Sequence, residues 1–376
     1  MARRQEQESA RDTVTEVGKG VLRMELPIRL PGLGHVNCYA ILDGDGAAIV
    51  DPGLPGPGTW KVLHSRLRQA GLEPRHIHSV IVTHSHPDHF GGAGRWAREH
   101  GARVIGHHRF SFGPFTAANQ PDVCIDDLAV HHRHAHGSDD DEDEERLPEA
   151  LEAAIAEANA ILESSRSSGK TPWGGEHERG TWWRRLRFRA LHWMGRGMVP
   201  TISAPVEHGD VLRLAGREWF VVHTPGHTGD HICLHDPESE LLLSGDHVLP
   251  TITPHIGGIG SSPDPLASFF YSLDRVAEIQ GVKNVLPAHG HPFADLPGRA
   301  QAIKRHHEER LDTVREISRE LGQPSAVKAF SERLFKRRSW GPMAESETYA
   351  HLEHLRIKGD AERLEGPDGR LLYITG

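Results

Sequence analysis

The segment Thr83-His84-Ser85-His86-Pro87-Asp88-His89 puts three imidazoles and a carboxylate within six positions. It directly follows Val80-Ile81-Val82, an apolar run that predicts a buried strand, so the cluster sits where a strand gives way to a loop. His84 and His86 are two apart and lean over the same side of the strand end. Asp88 and His89 follow at once and can face a second point nearby. Four ligand-type side chains this close together are costly to pack unless something cationic satisfies them, and a pair of divalent metals is the simplest candidate.

Three later segments carry the same residue types. They are Thr224-Pro225-Gly226-His227-Thr228-Gly229, Leu243-Ser244-Gly245-Asp246 and Pro287-Ala288-His289-Gly290. An early hairpin, residues 37–42 and 47–50, ends in Asp51-Pro52-Gly53. Together with the HxHxDH string, and in this order along the chain, these segments resemble the metallo-β-lactamase superfamily, with a glyoxalase II-like core. The resemblance covers roughly residues 20–110 and 200–295. It implies an α/β fold, a four-layer αββα metallo-β-lactamase sandwich with the metals at one edge. It also implies that His84, His86 and His227 hold one metal, that Asp88, His89 and His289 hold a second, and that Asp246 bridges them. The implied cofactors are two divalent ions, zinc first, with iron or manganese as alternatives because nitrogen and oxygen ligands do not select zinc alone. A hydroxide between two cations about 3.5–4 Å apart would then be the nucleophile, with Asp88 acting beside it. No GxSxG elbow is present. Asp51 is expected to orient a ligand histidine, and His231, four residues after His227, to support the site without ligating. Gly226 and Gly229 are expected to give the ligand loop its sharp turns.

The elements that position these residues alternate between strand and helix. Strand-like runs occupy 21–26, 37–42, 47–50, 80–82 and 103–105, and Asp43-Gly44-Asp45-Gly46 is a hairpin turn signal. Helical spacing runs over 60–71, from 91 to about 100, over 265–280, from 300 to 321 and over 347–358. The expected organisation is a polar, frayed tail over 1–18, a metallo-β-lactamase domain over 19–299 and a C-terminal domain over 300–376. That last part, helices followed by a strand pair around Pro367-Asp368-Gly369, resembles a winged-helix domain.

Residues 107–200 depart from the family core and read as a helical insertion, expected near the cleft as a lid or subunit contact. It contains the histidine tract 131–136, an acidic run 139–145, a helical pattern from Pro148, and a Ser/Gly linker at 164–169. Within it, 182–194 interleaves Trp182, Trp183, Phe188 and Trp193 with four arginines, a composition that suits either an amphipathic helix or stacking on single-stranded nucleic acid.

Composition narrows the function classes. A net charge of −9 argues against a surface that binds nucleic acid everywhere. Three widely spaced cysteines, Cys38, Cys124 and Cys233, give no disulfide framework and suit a reducing cytoplasm. No apolar run approaches a bilayer span, and the polar start leads us to expect no secretory segment and no membrane contact. Residues 301–340 hold ten Lys/Arg against six Asp/Glu, but 341–376 hold four against seven. Arg333, Lys336, Arg337 and Arg338 cluster, but the tail as a whole is only about +1, which is weak for phosphate binding. The expected function is a dinuclear metal-dependent hydrolase of a small ester, thioester, lactone or amide, with a small-molecule substrate and room for a homodimer contact. The alternative is a metal-dependent nuclease whose winged-helix tail contacts nucleic acid. An iron dioxygenase of the same fold would use fewer ligands and leave the second site empty. A non-enzymatic nucleic-acid-binding regulator has no use for an intact open site.

Overall fold

The computed structural model describes residues 4–112, 171–174, 199–258 and 262–376, with the isolated position 153 between them. A seven-stranded sheet runs in chain order through β1 (Val14–Gly18), β2 (Val21–Leu30), β3 (Leu33–Asp43), β4 (Gly46–Val50), β5 (Ile77–Ile81), β6 (Arg103–His107) and β7 (Ala204–Val206). Its first four strands pair antiparallel and its last four parallel. The second sheet has the order β12-β11-β10-β9-β8. Its strands are β8 (Val211–Leu214), β9 (Arg217–His223), β10 (Ile232–Asp236), β11 (Leu241–Gly245) and β12 (Asn284–Pro287). Only β11 and β12 are parallel.

Alternation along the strands sorts the apolar side chains into layers. Tyr39, Ile41, Val50, Ile81 and Ile105 face Trp219, Val221, Ile232, Leu234 and Leu243 between the sheets. Their neighbours Cys38, Ala40, Ile49, Val80 and Val104 point the other way. They meet Leu63 and Leu67 of α1 (Pro57–Gln69) and Trp96 of α3 (Ala93–His100). On the far side Val222, Cys233, Leu242 and Val285 meet Leu266, Phe269 and Leu273 of α4 (Pro265–Ala277). The result is helix, sheet, sheet, helix. Each fully buried Leu, Ile or Phe contributes about 1.5–3 kcal/mol relative to exposure. No described helix is long and apolar enough to cross a membrane.

The chain after Pro287 continues into the outer helical layer. Helix α5 (Leu296–Leu321) leads to β13 (Ser325–Ala326), α6 (Val327–Leu334), α7 (Pro342–Ile357) and the hairpin β14 (Ala361–Glu365) and β15 (Leu371–Thr375). Strand β15 pairs with both β13 and β14. Two expectations are corrected here. The boundary placed at 299/300 falls inside α5, a single 26-residue helix whose first turn is capped by the Asp295 carboxylate on the Gly298 N–H (2.9 Å). Residues 1–18, expected to fray because they are polar, are ordered from Arg4 onward. Val14–Gly18 is the edge strand β1, and Glu6 is fully buried, accepting from the backbone N–H of Thr251 (2.8 Å) and Ile252 (3.1 Å). Polarity predicted solvent for Glu6, but its buried partners come from a loop about 245 residues away.

Of the expected insertion, 107–112, position 153, 171–174 and 199–200 are described. β6 extends through His107, so the departure from the core begins after it. Trp173 is buried beside Tyr349, its indole N–H donates to Glu345 (3.1 Å), and its carbonyl accepts from the Leu371 N–H (3.2 Å). The histidine tract, the acidic run, the helical pattern from Pro148, the Ser/Gly linker and the Trp/Arg segment lie outside the described residues.

Helix α7 is buried along almost its whole length, from Ser346 through Leu355, although its sequence is largely polar. Its polar side chains are satisfied by partners. Glu353 is 1% exposed and takes Arg356 (2.9 Å), Arg363 (2.9 Å) and the Tyr373 hydroxyl (2.6 Å). Removing that carboxylate takes a buried acceptor from two guanidinium groups and a phenol at once. Glu353→Ala should therefore cost about 3–5 kcal/mol in a denaturant titration. A midpoint equal to wild type would show that this network carries no stability.

Burial, opposed by Glu347, pushes the His351 imidazole from its ordinary 6.5 down to about 4. A depressed histidine favours folding while neutral, so its contribution is complete above pH 6.5 and declines as pH falls toward 4. The metal-free protein should accordingly lose thermal stability across that window, and a Tm independent of pH between 6.5 and 4 would contradict this.

Candidate metal centre

The seven expected residues converge at the edge where the two sheets end. Pro87 starts a single helical turn, α2 (Pro87–Phe90), immediately after His86. That turn sends Asp88 and His89 back toward a second point, while His84 and His86 remain at the strand end. His227 comes from the β9–β10 loop, Asp246 follows β11, and His289 follows β12.

Two groups of ligand atoms form. In the first, His86 Nδ1 lies 3.0 Å from His84 Nε2 and 3.1 Å from His227 Nε2, with Asp246 alongside. In the second, Asp88 Oδ2 lies 3.6 Å from His89 Nε2 and 3.7 Å from His289 Nε2. Asp246 touches both. Its Oδ2 is 3.6 Å from His227 Nε2 and 3.6 Å from His89 Nε2, and its Oδ1 is 3.3 Å from His289 Nε2. Atoms within each group lie within 4.8 Å of one another.

Outer hydrogen bonds fix the tautomers, because an imidazole nitrogen resting on an oxygen that cannot donate must carry the proton. His227 Nδ1–H donates to the His255 carbonyl (2.7 Å), His289 Nδ1–H to the His35 carbonyl (2.6 Å) and His89 Nδ1–H to Asp51 Oδ2 (2.8 Å). The Thr83 hydroxyl donates to Asp51 (2.7 Å), so its oxygen accepts from His84 Nδ1–H (3.0 Å). The four Nε2 atoms therefore face inward. The inner atoms His89 Nε2, His289 Nε2 and Asp246 Oδ1 are buried without a hydrogen-bond partner. Such atoms are costly when left alone. A proton on His86 could satisfy only one of the two lone pairs facing it, whereas a divalent cation satisfies all of them. The donor set thus fits metal ions in both groups.

The electrostatics distinguish the two groups: against burial, Asp246 and Asp88 raise the His89 imidazole and Asp246 raises that of His289, so these two rings hold a second proton until a cation replaces it. Burial first, then His89 and His86, hold His84 well below its ordinary pKa, so it is neutral. Asp246 stays ionised despite burial because His289 and His89 face it. Neutral imidazoles and ionised carboxylates are the forms that ligate.

Asp51 stands in a left-handed conformation, φ 53°, at the end of β4. It holds His89 directly and His84 through Thr83, as a ligand-orienting carboxylate should. Asp51→Asn should weaken metal affinity about 10–100-fold, measured by competition with a chromophoric chelator, and unchanged affinity would remove this role. His231 stays out of both groups. Its Nδ1–H donates to Thr224 (2.7 Å), and its Nε2 accepts from the Asp246 backbone N–H (3.0 Å), so it sets the Asp246 backbone. Gly226 has φ 137° and closes the ligand loop as expected, while Gly229 is not among the positive-φ residues. Sequence reading missed His35 and His255. Both act through backbone carbonyls, which any residue type carries.

The fold and this edge define an αββα protein with donor sets that could hold metal ions at the edge where the two sheets end. The family model of the metallo-beta-lactamase superfamily matches residues 31–152 and 158–319, more than half of the chain, and the chain belongs to that superfamily. Among solved structures it is similar to a metallo-beta-lactamase family protein from Thermus thermophilus, at 28% identity and TM-score 0.67, covering 95% of this chain and 99% of that one. It is also similar to a beta-lactamase domain protein from Burkholderia ambifaria, at 25% identity and TM-score 0.68, covering 98% and 96%. Among curated proteins, Lactamase-like protein nscB of Aspergillus fumigatus is 34% identical over 110 residues, 29% of this chain and 31% of that protein. An atrochrysone carboxyl ACP thioesterase of Paecilomyces divaricatus is 34% identical over 95 residues, 25% and 28% of the two chains. The matches thus span about a third or less of these curated relatives.

Proposed function

We propose that this chain is a two-metal hydrolase acting on a thioester, releasing a carboxylic acid and a thiol. The observation that carries the reading is the double donor set joined by Asp246, with the Nε2 atoms of His84, His89, His227 and His289 turned inward by outer hydrogen bonds at Nδ1. The thioester choice among carbonyl substrates is supported by the likeness to a protein named as an ACP thioesterase. His84, His86 and His227 would hold one divalent ion, zinc by preference, Asp88, His89 and His289 the other, and Asp246 both. Such a pair supplies a water of lowered pKa and polarises a carbonyl oxygen.

The chain's own residues do the positioning. Asp51 and Thr83 fix two rings, the His35 and His255 carbonyls fix two more, and His231 fixes the Asp246 backbone. Asp88 would act beside that water as the second carboxylate of the site, next to His89 and His289.

The nuclease alternative rests on a winged-helix-like tail. Its order, helix, strand, two helices and a hairpin, suits that description. The last helix of the three, α7, is however buried from Ser346 to Leu355, and His354 on it binds Asp264 of the catalytic part (2.9 Å). A helix packed in this way has no free face for a nucleic-acid groove. We therefore propose that the tail walls the cleft. The deciding experiment pairs metal content with turnover of thioester, ester, lactone, phosphodiester and RNA substrates. Two metals per chain with thioester turnover is the expected result, and RNA cleavage without thioester turnover would reverse the reading.

A further inference from the structure

A cavity of about 500 Å³ opens where the loop after β11 meets α5 and α7. Its lining includes four arginines, Arg4, Arg299, Arg305 and Arg310, against two carboxylates, Glu309 and Glu347. Glu347 is already engaged, paired with Arg310 and accepting from His255 Nδ1 (3.0 Å). Arg299 donates to neutral carbonyls, those of Leu249 (2.6 Å) and Ile252 (2.6 Å). Burial lowers the Arg299 pKa, Glu6 opposes it, and Arg4 adds a smaller lowering. Among the described residues Arg4 and Arg305 pair with no carboxylate. In a chain of net charge −9, an open pocket lined by more guanidinium groups than carboxylates stands out from its surroundings.

The cavity adjoins the metal centre through one residue. The His255 ring lines the cavity, and the His255 carbonyl accepts from His227 Nδ1–H (2.7 Å). A molecule anchored among the arginines would therefore sit one residue's thickness from His227. Guanidinium forks match phosphate oxygens in geometry as well as charge, and the volume lies in the range of small-molecule pockets.

We propose that this cavity seats the phosphate of a phosphopantetheine arm whose acylated thiol end reaches the metal centre. The proposal rests on the thioester reading above. It assigns a binding role to Arg305 and Arg4, and it makes the C-terminal helices part of substrate recognition. The phosphate is shared by two sources, coenzyme A and a carrier protein's prosthetic group.

The test uses the metal-loaded full chain and the exposed variants Arg305→Ala and Arg4→Ala. Substrates are an acyl-phosphopantetheine, the matching acyl-coenzyme A, an acylated carrier protein and the acyl-N-acetylcysteamine thioester, which carries no phosphate. We expect KM for the phosphate-bearing substrates to rise roughly tenfold in Arg305→Ala, as loss of one charge-assisted contact implies. Turnover of the N-acetylcysteamine thioester should not change. Equal effects on both kinds of substrate, or no effect on either, would overturn the proposal. Turnover confined to the carrier-bound substrate, with the Arg305 effect retained, identifies the carrier as the source. Turnover of acyl-coenzyme A with the same effect identifies the free cofactor. Calorimetric binding of unacylated phosphopantetheine separates the two readings. Binding that weakens about tenfold in Arg305→Ala, without any thioester turnover, keeps the cavity assignment and refutes the thioesterase function. No binding to wild type refutes the cavity assignment.

Discussion

Asp246→Asn is expected to lower kcat/KM for the best substrate by about a thousandfold, which corresponds to roughly 4 kcal/mol of lost transition-state stabilisation. Among the described residues Asp246 is the one whose carboxylate approaches both donor groups, at 3.3–3.6 Å from His289, His89 and His227 and 3.9 Å from His84. Asparagine keeps the shape and the backbone N–H that His231 holds, so the fold should survive. It loses the negative charge that two adjacent cations require, and its NH2 cannot accept. Metal content should fall from about two per chain to one or fewer. A folded Asp246→Asn protein with full metal content and wild-type turnover would refute the two-metal arrangement.

The second large effect concerns stability. Gly226 has φ 137°, and a Cβ built there would sit 2.5 Å from the Phe269 Cα and Cβ and 2.7 Å from its backbone nitrogen. Neither the φ nor the neighbour can relax cheaply, because Phe269 is a fully buried anchor of α4. Gly226→Ala should cost about 3 kcal/mol or more, combining backbone strain with overpacking. His227 is the next residue, so metal affinity should fall too. Gly101→Ala provides the control. Gly101 is left-handed, φ 70°, but has open space at its Cβ position. It should lose only about 1–2 kcal/mol. Equal losses at the two positions would mean that the contact with α4 contributes nothing and that strain alone sets the cost.

Sequence reading reached the ligand-type residues because their signal is local. HxHxDH packs four of the seven into one strand end and one helical turn, and the other three each close an apolar run. Asp51 was legible for the same reason, as the end of a strand. Alternating strand and helix patterns indicated α/β layering, and the αββα layer order came with the resemblance that the ordered motifs carry. The sequence reading placed Glu6 in a frayed polar tail and began the long helix at 300, whereas Glu6 is buried and the helix begins at Leu296.

What the sequence by itself determined was which side chains could ligate and which segments would be strands or helices, since spacing and hydrophobic period encode both. Only the tertiary structure decided the tautomers, through the His35 and His255 carbonyls, because backbone oxygens carry no residue signature. It alone decided that α7, with Glu347, His351, Glu353 and His354 among its side chains, lies buried against the catalytic part. Polar side chains enter a core only when their partners meet them there, and those partners come from Asp264, Arg310, Arg363 and Tyr373, at distances along the chain that no local pattern reports.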